Sequence, residues 1–195
     1  MKRISTDAEY LDSGKIVVDA DGIPVNLGYR GTGSPEGKIA APVGSVYNDT
    51  AATNGAIRWI KSSGTGTTGW RVEYGDTGWR NVTPAGYTGS LSARRVGEMV
   101  MVRLTALAPP EDVVLPTIAN LTPGFQSAGR VMGSITRLNS LGVQGRLWIE
   151  GGLVRVVVGT GTKIDDPYTP SHQYTGVEIY PTPDPWPTTL PGTPA

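Results

Sequence analysis

Glycine and proline interrupt this chain so often that little room is left for a helix. Twenty-seven glycines and 16 prolines are spread over 195 residues without a Gly-X-Y period, and both residues are poor occupants of helix interiors. One long stretch free of both, about Glu98 to Ala108, alternates with a period of two rather than 3.6. Val100, Val102, Leu104 and Ala106 then share one face of a strand, with Met99, Met101, Arg103 and Thr105 on the other. The pattern predicts an all-β chain of short strands joined by tight turns.

The strands group into modules. In residues 1–33, Lys15–Val18 and Ile23–Leu27 flank Asp19-Ala-Asp-Gly22, a turn sequence that predicts a short hairpin. An isolated hairpin is marginal in water, so this segment requires a partner surface. Residues 34–82 set aromatic strands between glycine-rich turns: Ser45–Asp49, Ala56–Lys61, Trp70–Tyr74 and Gly78–Val82. Fewer than fifty residues with no disulfide or metal bury little surface, and oligomerisation is the available remedy.

Residues 83–180 are the most regular. Arg146–Glu150 and Leu153–Val158 flank Gly151-Gly152, which predicts a hairpin pairing Glu150 with Leu153, Ile149 with Val154, Trp148 with Arg155 and Leu147 with Val156. Leu147, Ile149, Val154 and Val156 form a core stripe, and Trp148 stacks against Arg155 on the opposite face. That face is expected either to meet a neighbouring subunit or to lie within a two-sided sandwich. Residues 181–195 carry six prolines, which disfavour ladder pairing and predict polyproline II or disorder, with Trp186 as a potential anchor.

Several chemistries have no foundation here. With no cysteine, disulfides, thiol nucleophiles and cysteine-based zinc sites are excluded. Seventeen basic residues cancel 17 acidic ones, so no net field attracts nucleic acid or an anionic membrane, although a local patch is still possible. No apolar run approaches the ~20 residues of a membrane span, and the first residues lack the hydrophobic stretch of a secretion signal. The expectation is a soluble protein made in a cytoplasm.

Gly64-Thr-Gly-Thr-Thr-Gly69 matches the dinucleotide pattern, but a strand, Trp70–Tyr74, follows it where the fingerprint needs a helix. It reads as a hairpin turn. His172, the one histidine, lies in a polar loop with no nucleophile elbow in the chain, and reads as a surface residue. Glu73, Asp76, Glu98, Glu150 and Glu178 read as scattered acids, and Asp19-Ala-Asp and Asp165-Asp166 as turn residues rather than calcium ligands. No catalytic residue, metal or cofactor is expected. Tyr87, Tyr168 and Tyr174 fall in polar loops and are candidate receptor contacts through ring stacking on sugars, or else pack at subunit edges.

The order Gly31-Thr-Gly-Ser-Pro-Glu-Gly37, Ala41-Pro-Val-Gly-Ser-Val-Tyr-Asn-Asp49, Trp59-Ile-Lys61 and Ser63-Gly-Thr-Gly-Thr-Thr-Gly-Trp70 resembles a module of tail-fibre and minor tail proteins of tailed bacteriophages. Downstream, Gly78-Trp-Arg80, Arg95–Val102, Leu121-Thr-Pro-Gly-Phe125 and the Gly-Gly hairpin resemble the β-sandwich head that follows this module. The resemblance implies a small Gly-rich β module followed by an antiparallel, jelly-roll-like β-sandwich, intertwined as a homotrimer. It further implies a virion protein that attaches to other virion proteins through its N-terminus and displays its C-terminal domain to the host, with cell-surface glycan as a possible ligand. Trp59, Trp70, Trp148 and Arg155 are the candidate trimer interface. A capsid decoration or head fibre, and a glycan depolymerase, are the other readings; neither nucleic acid nor membrane insertion is expected.

Overall fold

The structure is a computed structural model that describes residues 28–138, 144–158 and 167–195, together with two short strands at 17–18 and 24–25. It is all-β. The elements are β1 (Val17–Val18), β2 (Pro24–Val25), β3 (Tyr29–Gly31), β4 (Val46–Asp49), β5 (Ala56–Lys61), β6 (Trp70–Gly75), β7 (Arg80–Asn81), β8 (Thr88–Val96), β9 (Met99–Ala108), β10 (Thr117–Asn120), β11 (Val131–Arg137), β12 (Gln144–Glu150), β13 (Leu153–Val158), β14 (Tyr174–Pro181) and β15 (Thr193–Pro194). β1 and β2 pair antiparallel, Val17 with Val25 and Val18 with Pro24, as the Asp-Gly turn signal predicts. No helix among the described residues is long and apolar enough to cross a membrane.

The chain packs into two units. The first runs through Thr53 and adds Ile57–Glu73; the second comprises Asn54–Ala56 and Tyr74–Ala195. β7 belongs to the sheet of the second unit, pairing Arg80 with Ala93 of β8.

Strands β3 to β6 form a four-stranded sheet in sequence order. β3 and β4 run parallel, and β4 and β5 antiparallel. Aliphatic core is scarce here, and long loops are held by buried polar groups instead. Asp49, 3% exposed, accepts hydrogen bonds from the backbone N–H of Gly33 at 2.9 Å, Ala51 at 3.0 Å and Thr53 at 2.9 Å. Lys61 is fully buried; its ammonium donates to the carbonyls of Gly66 and Thr68 and stands 5.6 Å from the Trp70 ring centroid. The Gly64–Gly69 loop thus joins β5 to β6 and turns carbonyls onto a cation. A phosphate loop would offer N–H groups.

Burial alone would raise the Asp49 pKa, but its hydrogen bonds from Gly33, Thr53 and Ala51 hold it below the ordinary 3.8. A carboxyl depressed in the folded state contributes stability that is present above the ordinary value and lost as pH falls through the folded one. Asp49→Asn should therefore cost about 1–3 kcal/mol at neutral pH and flatten the acid limb of a melting-temperature profile. Asp76, also held low chiefly by its hydrogen bond with Arg94, keeps its own share of that slope. An unchanged acid limb in the variant would contradict this account.

The second unit holds one nine-stranded antiparallel sheet, β10-β13-β12-β11-β14-β9-β8-β7-β15. Its two halves meet where β11 pairs with β14 at only two positions, Thr136 with Thr175 and Arg137 with Tyr174. Beyond them the strands diverge and the sheet curls, so both inner faces enclose one core and a sandwich arises from a single sheet. The Gly-Gly hairpin has the predicted register, and Leu147, Ile149, Val154 and Val156 are fully buried. Opposite them lie Leu91, Val100, Val102 and Leu104, also at zero exposure. A Cβ on Gly133 would stand 1.6 Å from Glu178 Oε2, so glycine is what lets this inward carboxylate sit beside β11.

Two expectations are corrected. Ala106 does not share the core face: it takes φ 48° at a bulge where β9 shifts register against both neighbours, and Leu107 enters the core instead. The proline-rich segment from Pro181 is packed and ends in a paired strand, Thr193 with Asn81 and Pro194 with Arg80. Prolines offer acceptors but no donors, and side chains supply what is missing. Arg95 donates to the carbonyls of Asp184 at 3.0 Å and Pro185 at 2.8 Å, and Arg80 to those of Pro191 and Gly192. Asn54 donates to Pro187 and Thr188.

Candidate functional site

The aromatic residues singled out from sequence separate into buried and half-buried groups. Tyr168 and Tyr174 are fully buried, with ring centroids 5.5 Å apart, and Tyr87 lies 6.4 Å from Tyr168. The Tyr168 hydroxyl donates to the Leu107 carbonyl, and burial raises the pKa of Tyr168 and Tyr87. Tyr168 and Tyr174 therefore present no ring to a sugar, which removes them as receptor contacts; Tyr87 is half-buried against the same cluster. Polar neighbours in sequence misled the reading because the bulge at Ala106 and the bridge between Val113 and Tyr168 bring these loops over the core.

Trp59 and Trp70 are each 6% exposed within the first unit. Trp70 packs edge-on against Tyr29 and Tyr47, and its Nε1–H donates to the Ile39 carbonyl at 2.8 Å. Neither has surface left for a subunit interface, so that assignment is withdrawn for both.

Trp148 and Arg155 stand cross-strand on the outer face of the second unit, as expected, and both are half-buried. Sequence reasoning missed Arg130, whose guanidinium lies 4.3 Å from the Trp148 centroid, closer than that of Arg155 at 5.7 Å. Arg155 Nε–H donates to Thr117 Oγ1, while Trp148 Nε1 is buried without a hydrogen-bond partner. The other half of the sheet carries a comparable stack, with Arg103 4.2 Å and Arg94 5.9 Å from Trp79. There Arg94 is neutralised by Asp76.

The outer face of that half also carries apolar residues. Pro181, Met99 and Val96 are cross-strand neighbours, as are Ile179, Met101 and Arg94. Val177 and Ile179 are 50% and 53% exposed, Met99 41% and Val96 37%. Alternation along β8, β9 and β14 thus brings four exposed apolar side chains onto one face.

The polar candidates occupy separate places. His172 is half-buried; its N–H donates to the Thr169 carbonyl, and its Nδ1, the atom a triad carboxylate would orient, has no hydrogen-bond partner. Burial, with Arg137 nearby, lowers its pKa. Glu73 pairs with Arg58 at 2.7 Å and Glu150 with Arg130 at 3.6 Å. Among the described residues no three His, Asp or Glu side chains gather as a metal site; Asp19, Asp21, Asp165 and Asp166 lie outside the described residues.

No protein-family model, curated protein or solved structure matches this chain.

Proposed function

We propose that this chain is a structural protein of a bacteriophage particle, a homotrimeric tail fibre or minor tail protein without enzymatic activity. Its N-terminal segment docks on other virion proteins and its nine-stranded domain faces the host surface. The observation that carries this reading is how the residues resembling the tail-fibre module fit together. Glu36 of Gly-Ser-Pro-Glu-Gly accepts from the N–H groups of Gly69 and Trp70 at the far end of the module. Asp49 and Lys61 tie down the intervening loops. Residues 31–53 and 57–70 therefore act as one scaffold, and the motif is accounted for by folding rather than by catalysis.

The apolar patch on β8, β9 and β14 supports self-association and replaces Trp59 and Trp70 as a subunit contact, since burying it recovers hydrophobic free energy. Light scattering at micromolar concentration should give about three times 20.5 kDa. Val177→Glu with Ile179→Glu should yield a folded monomer, because each site is half-exposed and surface changes alter stability by only ~0.5 kcal/mol. A wild-type monomer would sink the trimer. Purified chain should also compete with whole phage for adsorption to host cells; trimer without competition, and location on the head, would favour a decoration protein.

A further inference from the structure

We infer that the outer face around Trp148 binds acidic groups, carboxylate or phosphate, carried at intervals along a polysaccharide or polyol chain. This rests on the receptor-facing role proposed for the domain and assigns that role a place. The charge balance points to it. Among the described residues on the outer face of β11, β12 and β13, with the adjoining Arg130, the charged ones are Arg130, Arg146, Arg155 and Glu150. Three guanidinium groups against one carboxylate leave a surplus of two positive charges on a chain whose overall charge is zero.

The geometry keeps those charges available. Arg146 precedes Trp148 by two residues on β12 and is paired with Ser134 on one side and Val157 on the other. It is therefore a diagonal neighbour of Arg155, a separation two guanidinium groups can span around one anion. Arg155 is oriented by Thr117 through Nε, leaving its terminal N–H groups for a ligand. Arg130 and Arg155 both lie over the Trp148 ring, 4.3 and 5.7 Å from its centroid, and Ser134 is the cross-strand neighbour of Arg146. The equivalent stack on Trp79 has no such surplus, because Asp76 occupies Arg94.

A spaced anion fits better than nucleic acid. Duplex DNA presents a charge every ~1.7 Å and is met by extended basic stripes, and single strands need open aromatic faces. This patch is short, and the Trp148 ring is already attended by two arginines.

The test uses the full chain with four probes at physiological ionic strength: polygalacturonate, poly(glycerol phosphate), neutral dextran and an oligothymidylate. Binding to one or both acidic polymers and not to dextran is expected, and which of the two binds identifies the acid. Arg146→Ala with Arg155→Ala should weaken that binding at least about tenfold and reduce the salt slope by about two. Arg30→Ala with Arg71→Ala removes the same charge from the first unit and should leave binding unchanged. Equal losses in both double variants, no binding of either acidic polymer, or tighter binding of the oligothymidylate would each overturn the assignment. Arg146→Ala alone, at an exposed position, guards against misfolding. If wild-type chain blocks phage adsorption and the Arg146/Arg155 variant blocks it equally, this site is wrong while the receptor-binding reading stands.

Discussion

Replacing Arg95 with alanine should destabilise the second unit by about 3–5 kcal/mol, the cost of removing one member of a buried charged network. Arg95 is 4% exposed although charged, and burial lowers its pKa against the opposing pull of Asp184 and Glu98. The guanidinium donates to four carbonyls, of Gly97, Gly124, Asp184 and Pro185, and lies 5.0 Å from the Trp186 centroid. Asp184 in turn accepts from the N–H groups of Gly124 and Gln126. One side chain therefore joins the end of β8, the turn at Phe125 and the C-terminal strap. Urea unfolding should show the loss in midpoint, and protease should cleave residues 181–195 before the rest. Arg95→Lys should recover only part of it, since a compact ammonium cannot span four acceptors. A midpoint within about 0.5 kcal/mol of wild type would show the strap to be held by other contacts.

Tyr168→Ala should cost a comparable 3–5 kcal/mol, the usual range for truncating a large buried aromatic. The ring is fully buried between Tyr87 and Tyr174. Tyr168→Phe should cost only about 1–2 kcal/mol, because the ring stays and the Leu107 carbonyl alone loses its donor. The pair separates a core residue from a receptor contact. A surface tyrosine that only touched a ligand would shift thermal unfolding within ~0.5 kcal/mol and act on binding alone. Little change in the melting temperature of Tyr168→Ala would restore the surface reading.

The all-β character, the Gly-Gly hairpin and its register, and the alternation of β9 as far as Leu104 were all legible in the order of residues. These are local matters: turn chemistry and period-two patterning act between neighbours, so the residues carry their own instructions. Trp148 opposite Arg155 was legible for the same reason. Arg130 was not, since its approach to Trp148 depends on where β11 lies beside β12. Nor did local pattern distinguish a tyrosine in a polar loop from one folded over the core, or a proline-rich strap from a free tail. Those outcomes turn on distant partners: a bulge at Ala106, a bridge from Val113 to Tyr168, and the donors of Arg80, Arg95 and Asn54 meeting carbonyls more than 80 residues away. They are settled by long-range packing, because a buried polar group or ring is placed by whatever satisfies or covers it, and that partner has no fixed distance along the chain.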